Sequence, residues 1–139
     1  MKRLVSKRQA RLLVAALLIL ASPLFASGQA DAPKPKEKPC RAQPALVGKC
    51  FRVRGRLSLY NGAPTVRLWR AGTRRMLGVS ASYAREGYSS IPEDLERQLG
   101  WESDVWGDFL VCPFTPRRPG EMQMICIEEA RNVSVRQRR

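Results

Sequence analysis

Arginine and aromatic side chains alternate with apolar side chains in one stretch, RVRGRLSLYNGAPTVRLWR, residues 52–70. The candidate ligand-binding residues in it are Arg54, Arg56, Tyr60, Arg67 and Trp69. Guanidinium groups bind carboxylate and phosphate groups, and aromatic rings offer stacking surfaces to a ligand. The stretch therefore predicts a surface for an anionic or glycan ligand.

The composition argues against catalysis. Histidine is absent, which removes the commonest general base and metal ligand. The sequence has no Gly-rich phosphate loop, nucleophile elbow or Cys-x-x-Cys pair. We therefore predict a non-enzymatic protein without catalytic residues, cofactor or metal site.

Four cysteines are present, at positions 40, 50, 112 and 126. An even number in an exported protein indicates disulfide bonds, and four cysteines allow three connectivities. Spacing alone does not select one of them. We prefer Cys40–Cys50 with Cys112–Cys126, because the last two lie opposite each other if their strands pair about Pro119.

Residues 1–30 are typical of a secretory signal peptide. Five basic residues precede the apolar run LLVAALLILA, residues 12–21, and small residues allow cleavage after Gly28 or after Ala30. The run is too short for a membrane span, which needs about 20 apolar residues. We expect a periplasmic or secreted protein, the alternative being an uncleaved anchor.

Removal of the signal peptide lowers the formal net charge from +13 to +8, since residues 1–30 contain five Lys or Arg and no Asp or Glu. Such an excess favours anionic partners. We do not expect nucleic acid as a partner, because an exported protein rarely meets it. An anionic envelope polymer or another envelope protein is the expected partner.

Strands of one domain are predicted to position the arginines. Residues 31–39, DAPKPKEKP, are predicted to be an extended spacer, residues 40–135 a β domain, and residues 136–139 a basic tail. Residues 50–60 alternate as a half-buried strand. An Asn61-Gly62 type I′ turn would fix the register of the hairpin that follows. The residue numbers of each cross-strand pair would then sum to 123, which places Arg56 opposite Arg67.

Further strands are predicted over 74–80, 103–114 and 121–130, with a last one through Val133 and Val135. A helix is predicted over 90–101, with apolar residues at 91, 95 and 99 on one stripe. The predicted fold class is mainly β: a small, disulfide-stapled, OB-like barrel of five to six strands with one helix between the third and fourth strands. An open sandwich with one helix is the alternative.

The chain also resembles a family of small, exported, four-cysteine β-rich proteins of Gram-negative bacteria. The resemblance lies in CFRVRGRLSLYNGAPTVRLW (50–69), GDFLVCPFTP (107–116) and PGEMQMICIEEA (119–130). It implies a periplasmic or secreted location and a β-rich fold. It implies no catalytic residues.

Two explanations remain for the facing arginines. They point into solvent or pair with a carboxylate such as Glu128, Glu129 or Asp108, or else they bind an anionic ligand. The favoured function is an exported, non-enzymatic β domain of basic character that binds an anionic or glycan ligand. The alternative is an envelope enzyme or inhibitor that acts on cell-wall polymers.

Overall fold

The computed structural model describes residues 36–84 and 86–138. The predicted signal peptide, residues 1–30, and the first part of the predicted spacer lie outside the described residues. The end of the spacer is attached to the domain, because Lys38 forms backbone hydrogen bonds with Gly87 and Ser89. Within the described residues, no helix is both long enough and apolar enough to cross a membrane.

Five strands form one sheet that closes in the order β1-β2-β3-β5-β4. The strands are β1 (Phe51–Leu59), β2 (Val66–Arg70), β3 (Met76–Val79), β4 (Ser103–Pro113) and β5 (Gln123–Gln137). Short 3-10 turns lie at Cys40–Ala42 and Ala81–Tyr83. All paired strands are antiparallel except β3 and β5, which are parallel. The prediction of a mainly β chain with two disulfides is confirmed.

Apolar side chains at alternate positions fill the interior of the barrel. In β1, Val53 and Leu57 are buried whereas Arg52 and Arg54 are exposed. The other strand residues of the buried core are Leu68, Leu77, Val79, Val105, Phe109, Val111, Ile125 and Ile127. Because successive side chains of a strand point to opposite faces, the β1 arginines lie on the outside.

The connection between β1 and β2 is a loop over residues 60–65, and the predicted two-residue turn is wrong. Gly62 has a φ of 94°, but Asn61 has no positive φ, so the pair does not form a type I′ turn. The Ala63–Pro64 peptide bond is cis. Since Pro64 has no N–H to donate to the ladder, strand pairing begins beyond it, at Val66.

The longer loop shifts the hairpin register by two residues. The predicted pairing of Arg56 with Arg67 is wrong: Arg56 lies opposite Trp69, and Arg67 lies opposite Ser58. A shift of two residues leaves every side chain on its original face, because the side-chain period of a strand is two. The predicted separation into an apolar face and an Arg/Trp face therefore remains.

One helical turn, Glu93–Glu96, replaces the predicted helix over 90–101. Helices shorter than about 12 residues are marginal in water, and this segment is interrupted at both ends by Pro92 and Gly100. Its apolar stripe still packs as expected. Leu95 is buried, and Ile91 and Leu99 contact the core.

The preferred disulfide pairing, Cys40–Cys50 with Cys112–Cys126, is wrong. The bridges join Cys40 to Cys126 and Cys50 to Cys112. Cys112 does lie opposite Cys126 across β4 and β5. However, β1 also pairs with β4, with Phe51 opposite Val111, and this places Cys50 beside Cys112.

Residues 136–138, which were predicted to be a basic tail, continue the last strand. β5 extends to Gln137, and the backbone N–H of Arg138 donates to the carbonyl oxygen of Glu102 at 2.8 Å. The last strand, predicted through Val133 and Val135, is therefore the second half of β5. It follows Asn132, which has a φ of 53°.

Candidate functional site

The five predicted ligand-binding residues lie on the outside of β1, β2 and their loop. Four of them form a first group, and the fifth is separate. The first group contains Arg56, Tyr60, Arg67 and Trp69. Arg54 lies apart from them, in a groove beside β4. Strand pairing places Arg56 between Trp69 of β2 and Trp106 of β4. We call the outer surface formed by these five residues together with Trp106 and Arg136 the arginine–aromatic face.

A carboxylate from β4, Asp104, lies beneath the first group. It accepts hydrogen bonds from the Ser58 hydroxyl at 2.6 Å and from Nε of Arg138 at 2.7 Å. It also forms an ion pair with Arg56 at 3.5 Å. None of the three expected carboxylates, Glu128, Glu129 or Asp108, has this role. The carboxylate is supplied by a strand paired with β1.

Tyr60 organises the cations around this carboxylate. The guanidinium groups of Arg67 and Arg138 lie 5.1 and 5.4 Å from its ring centre. Its hydroxyl oxygen accepts a hydrogen bond from Nε1 of Trp69 at 2.8 Å and one from Arg56 at 3.4 Å. Both guanidinium–ring distances fall within the range of a cation–π contact.

Arg67 contributes to the structure of the β1–β2 loop. Its Nε donates to the carbonyl oxygen of Pro64 at 2.9 Å, and its Nη2 donates to that of Asn61 at 3.5 Å. These bonds satisfy carbonyl groups that strand pairing leaves free. Arg56 and Arg67 therefore both have partners within the protein.

The environment of Asp104 changes its acidity. Burial alone would raise the pKa of Asp104, but hydrogen bonds from Ser58 and Arg138 and the positive charges of Arg138 and Arg56 outweigh this effect. The pKa of Asp104 consequently lies below its ordinary value. The ionised form is the one that the folded protein stabilises.

We predict that this carboxylate makes stability depend on acid pH. Because folding lowers the pKa of Asp104, its contribution is fully present above the unfolded value, about 3.9, and is lost as pH falls through the folded pKa. Urea unfolding of the natural protein and of Asp104→Asn, measured at a series of pH values, should give free energies that converge in acid. A difference that is the same at every pH would contradict the prediction.

The groove that contains Arg54 has a volume of about 200 Å³ and lies over β1, β4 and β5. Its other side-chain lining residues are Trp106, Asp108, Asn132, Ser134 and Arg136. The guanidinium group of Arg136 lies 5.5 Å from the centre of the Trp106 ring. The amide of Asn132 donates to Asp108 at 2.8 Å. The groove thus combines two cations, one carboxylate, an aromatic ring and neutral polar groups.

The sequence interpretation missed Trp106 and Arg136. The alternation in β4, where Val105 and Phe109 are buried and Trp106 is not, was a signal that Trp106 lies on the outer face. No signal was available for Arg136, since its position depends on how β5 pairs with β4 beyond an irregularity in the register.

Among the described residues, no group of three or more His, Cys, Asp or Glu side chains is placed to hold a metal ion. No protein-family model matches the chain, and no curated protein or solved structure matches it. The site itself is therefore the basis for a functional proposal.

Proposed function

We propose that the chain is the precursor of an exported, non-enzymatic β-barrel domain that binds an acidic glycan on the arginine–aromatic face. One observation carries the proposal: Trp69, Arg56 and Trp106 follow one another across β2, β1 and β4. A sugar ring has an apolar face that packs on an aromatic ring. The charged groups of an acidic glycan pair with guanidinium groups beside the rings.

The charged groups of the ligand bind in the groove beside these three side chains. Neither Arg54 nor Arg136 forms an ion pair with any carboxylate of the described residues. Arg56, in contrast, is held by Asp104. We assign the binding of carboxylate groups to Arg54 and Arg136, and the stacking surface to Trp106.

The barrel is consistent with a binding role. We infer an OB-type fold, because that fold is a five-stranded Greek-key barrel and its members bind oligosaccharides and oligonucleotides through an outer surface. The strand order β1-β2-β3-β5-β4 supports this inference. The helical turn Glu93–Glu96 stands between β3 and β4, where a helix was expected.

The two disulfides are typical of an oxidising, non-cytoplasmic compartment. We propose the periplasm or the extracellular space, reached through cleavage of residues 1–30. The arginine–aromatic face would then meet envelope or extracellular polysaccharides. It would rarely meet nucleic acid.

The test uses polygalacturonate as the acidic probe and its methyl-esterified, neutral form as the matched ligand. Arg54→Ala with Arg136→Ala should weaken binding of polygalacturonate about tenfold or more, since each lost contact is a charged hydrogen bond. Trp106→Ala should also weaken binding while leaving its salt dependence nearly unchanged.

The matched control is Lys49→Ala with Arg97→Ala, which removes the same charge from exposed positions outside the groove. Equal weakening in this control would mean that only net charge matters and would overturn the assigned site. Equal affinity for the neutral polymer would overturn the requirement for an anionic ligand.

The alternative is an envelope enzyme or inhibitor acting on cell-wall polymers. An enzyme that hydrolyses glycosidic bonds needs acidic groups that converge in one cleft. Three cavities in the described part of the chain contain at most one carboxylate each. This observation favours binding over hydrolysis.

A further inference from the structure

A second, strongly basic cleft lies at the disulfide-bearing end of the barrel. It consists of two adjoining cavities of about 220 and 710 Å³, which share Arg75 and Arg117 in their walls. The arginines that line the two cavities are Arg70, Arg74, Arg75, Arg117 and Arg118. We call this feature the arginine cleft. None of these residues belongs to the arginine–aromatic face.

Arg70 ends β2, and the other four cations come from two connections, the β2–β3 turn and the β4–β5 loop. The turn is ordered by Thr73, whose hydroxyl donates to Arg70 O at 2.9 Å and accepts from the backbone N–H of Arg75 at 3.1 Å. Gly72, with a φ of 70°, permits the reversal of the chain. The arginines of the turn are therefore presented on a fixed backbone.

The β4–β5 loop is fixed as well. It follows Cys112, which is bridged to Cys50. The Thr115 hydroxyl accepts from the backbone N–H of Met124 at 2.9 Å, and the Gln123 amide donates to the Thr115 carbonyl at 3.0 Å. Residues 117 and 118 therefore lie in a loop whose ends are held by a disulfide and by hydrogen bonds.

The charge of the cleft is not neutralised within the described protein. Its one lining carboxylate is Glu121, 3.7 Å from Arg118. Among the described residues, the other four arginines form no ion pair. Five positive groups and one negative group leave a local charge of +4, which is half of the +8 predicted for the mature chain. Like charges repel when they are brought together, so a bound anion would stabilise this arrangement.

We propose that the arginine cleft binds a ligand that carries two neighbouring phosphate groups. A phosphate monoester carries a charge of about −1.5 to −2 at neutral pH, so two of them match the local charge, and two singly charged phosphodiester groups neutralise part of it. Arginine binds phosphate oxygens through two parallel N–H donors, and every cation of the cleft is arginine. Phe51, Leu77, Met76 and Met122 give the cleft an apolar wall beside these groups.

The test titrates the natural protein by calorimetry with pyrophosphate and, separately, with orthophosphate. Pyrophosphate should bind about tenfold tighter or more, because it engages more of the arginines at once. Arg74→Ala with Arg117→Ala, both exposed side chains without hydrogen bonds to the described residues, should lower pyrophosphate affinity by at least about tenfold. Unchanged affinity in this variant, or equal affinity for the two anions, would overturn the proposal.

Two further variants separate this site from the proposed glycan function. Arg54→Ala with Arg136→Ala should keep pyrophosphate affinity, and Lys49→Ala with Arg97→Ala should do the same. A loss in either as large as that in the cleft variant would overturn the proposal. Failure of polygalacturonate binding alone would affect only the arginine–aromatic face.

A final comparison distinguishes a soluble ligand from a membrane headgroup. Phosphatidylcholine vesicles with and without diphosphatidylglycerol, which has two phosphate groups, are mixed with the natural protein and with the Arg74/Arg117 variant. Binding only to the diphosphatidylglycerol vesicles, lost in the variant, supports the site with a membrane source. Pyrophosphate binding without vesicle binding supports it with a soluble source. Vesicle binding that the variant retains, without pyrophosphate binding, overturns the proposal.

Discussion

Replacing Cys50 and Cys112 with alanine is expected to lower the free energy of unfolding by about 4 kcal/mol. The bridge joins residues 62 positions apart, and its loss frees the unfolded chain from that constraint. The Cys40–Cys126 bridge, with a separation of 86, should contribute slightly more. Because domains of this size have about 5–15 kcal/mol of stability in total, loss of both bridges is expected to unfold much of the population.

Denaturant unfolding of each variant under oxidising conditions measures these losses. Cys40→Ala with Cys112→Ala is the control, since it removes one cysteine from each bridge, leaves no two cysteines on paired strands and should destabilise the domain more than either paired replacement. A paired replacement that costs under about 1 kcal/mol would contradict the prediction. Peptide mapping without reductant should recover Cys40 linked to Cys126.

The disulfide pairing shows which information the sequence lacks. The opposition of Cys112 and Cys126 follows from a local hairpin and was predicted correctly. The position of Cys50 beside Cys112 follows from pairing of β1 with β4, two strands far apart in the chain. Alternation within a strand does not reveal which distant strand lies next to it, so spacing alone left three connectivities.

The difference between local and long-range strand pairing also explains which features of the arginine–aromatic face could be predicted. The outward position of Arg54 and Arg56 follows from the alternation of apolar residues in β1 and survives a two-residue change of register. The partner of Arg56 does not follow from it. Asp104 belongs to β4, and Arg138 lies beyond the end of β5, so both arrive through long-range pairing.

The arginine cleft was missed for a related reason. The Arg74-Arg75 and Arg117-Arg118 pairs are visible in the sequence, the first at the start of a predicted strand and the second in a predicted connection. Their meeting depends on the parallel pairing of β3 with β5, with Leu77 opposite Gln123. Parallel neighbours cannot be joined by a tight turn, and no local pattern indicates that two such loops lie together.

Asp104→Ala is expected to lower the free energy of unfolding by about 3 kcal/mol. The carboxylate side chain is only 12% exposed and has three partners, Ser58, Arg56 and Arg138. Its removal leaves a buried hydroxyl without its acceptor and two guanidinium groups without their counter-charge. Arg138 also donates twice to the Leu59 carbonyl oxygen, at 3.1 Å, so the change affects the attachment of β5 to β1.

The matched control is Glu93→Ala, which breaks the ion pair with Arg97 where the carboxylate is 84% exposed. This change should cost less than about 0.5 kcal/mol, as exposed pairs do. A double-mutant cycle between Asp104→Ala and Arg138→Ala should give a coupling energy of about 1–3 kcal/mol. Equal losses for Asp104→Ala and the control would show that the buried carboxylate does not hold the cluster. Since neither Arg54 nor Arg136 forms a hydrogen bond or an ion pair with Asp104, polygalacturonate affinity should be retained in Asp104→Asn wherever it remains folded.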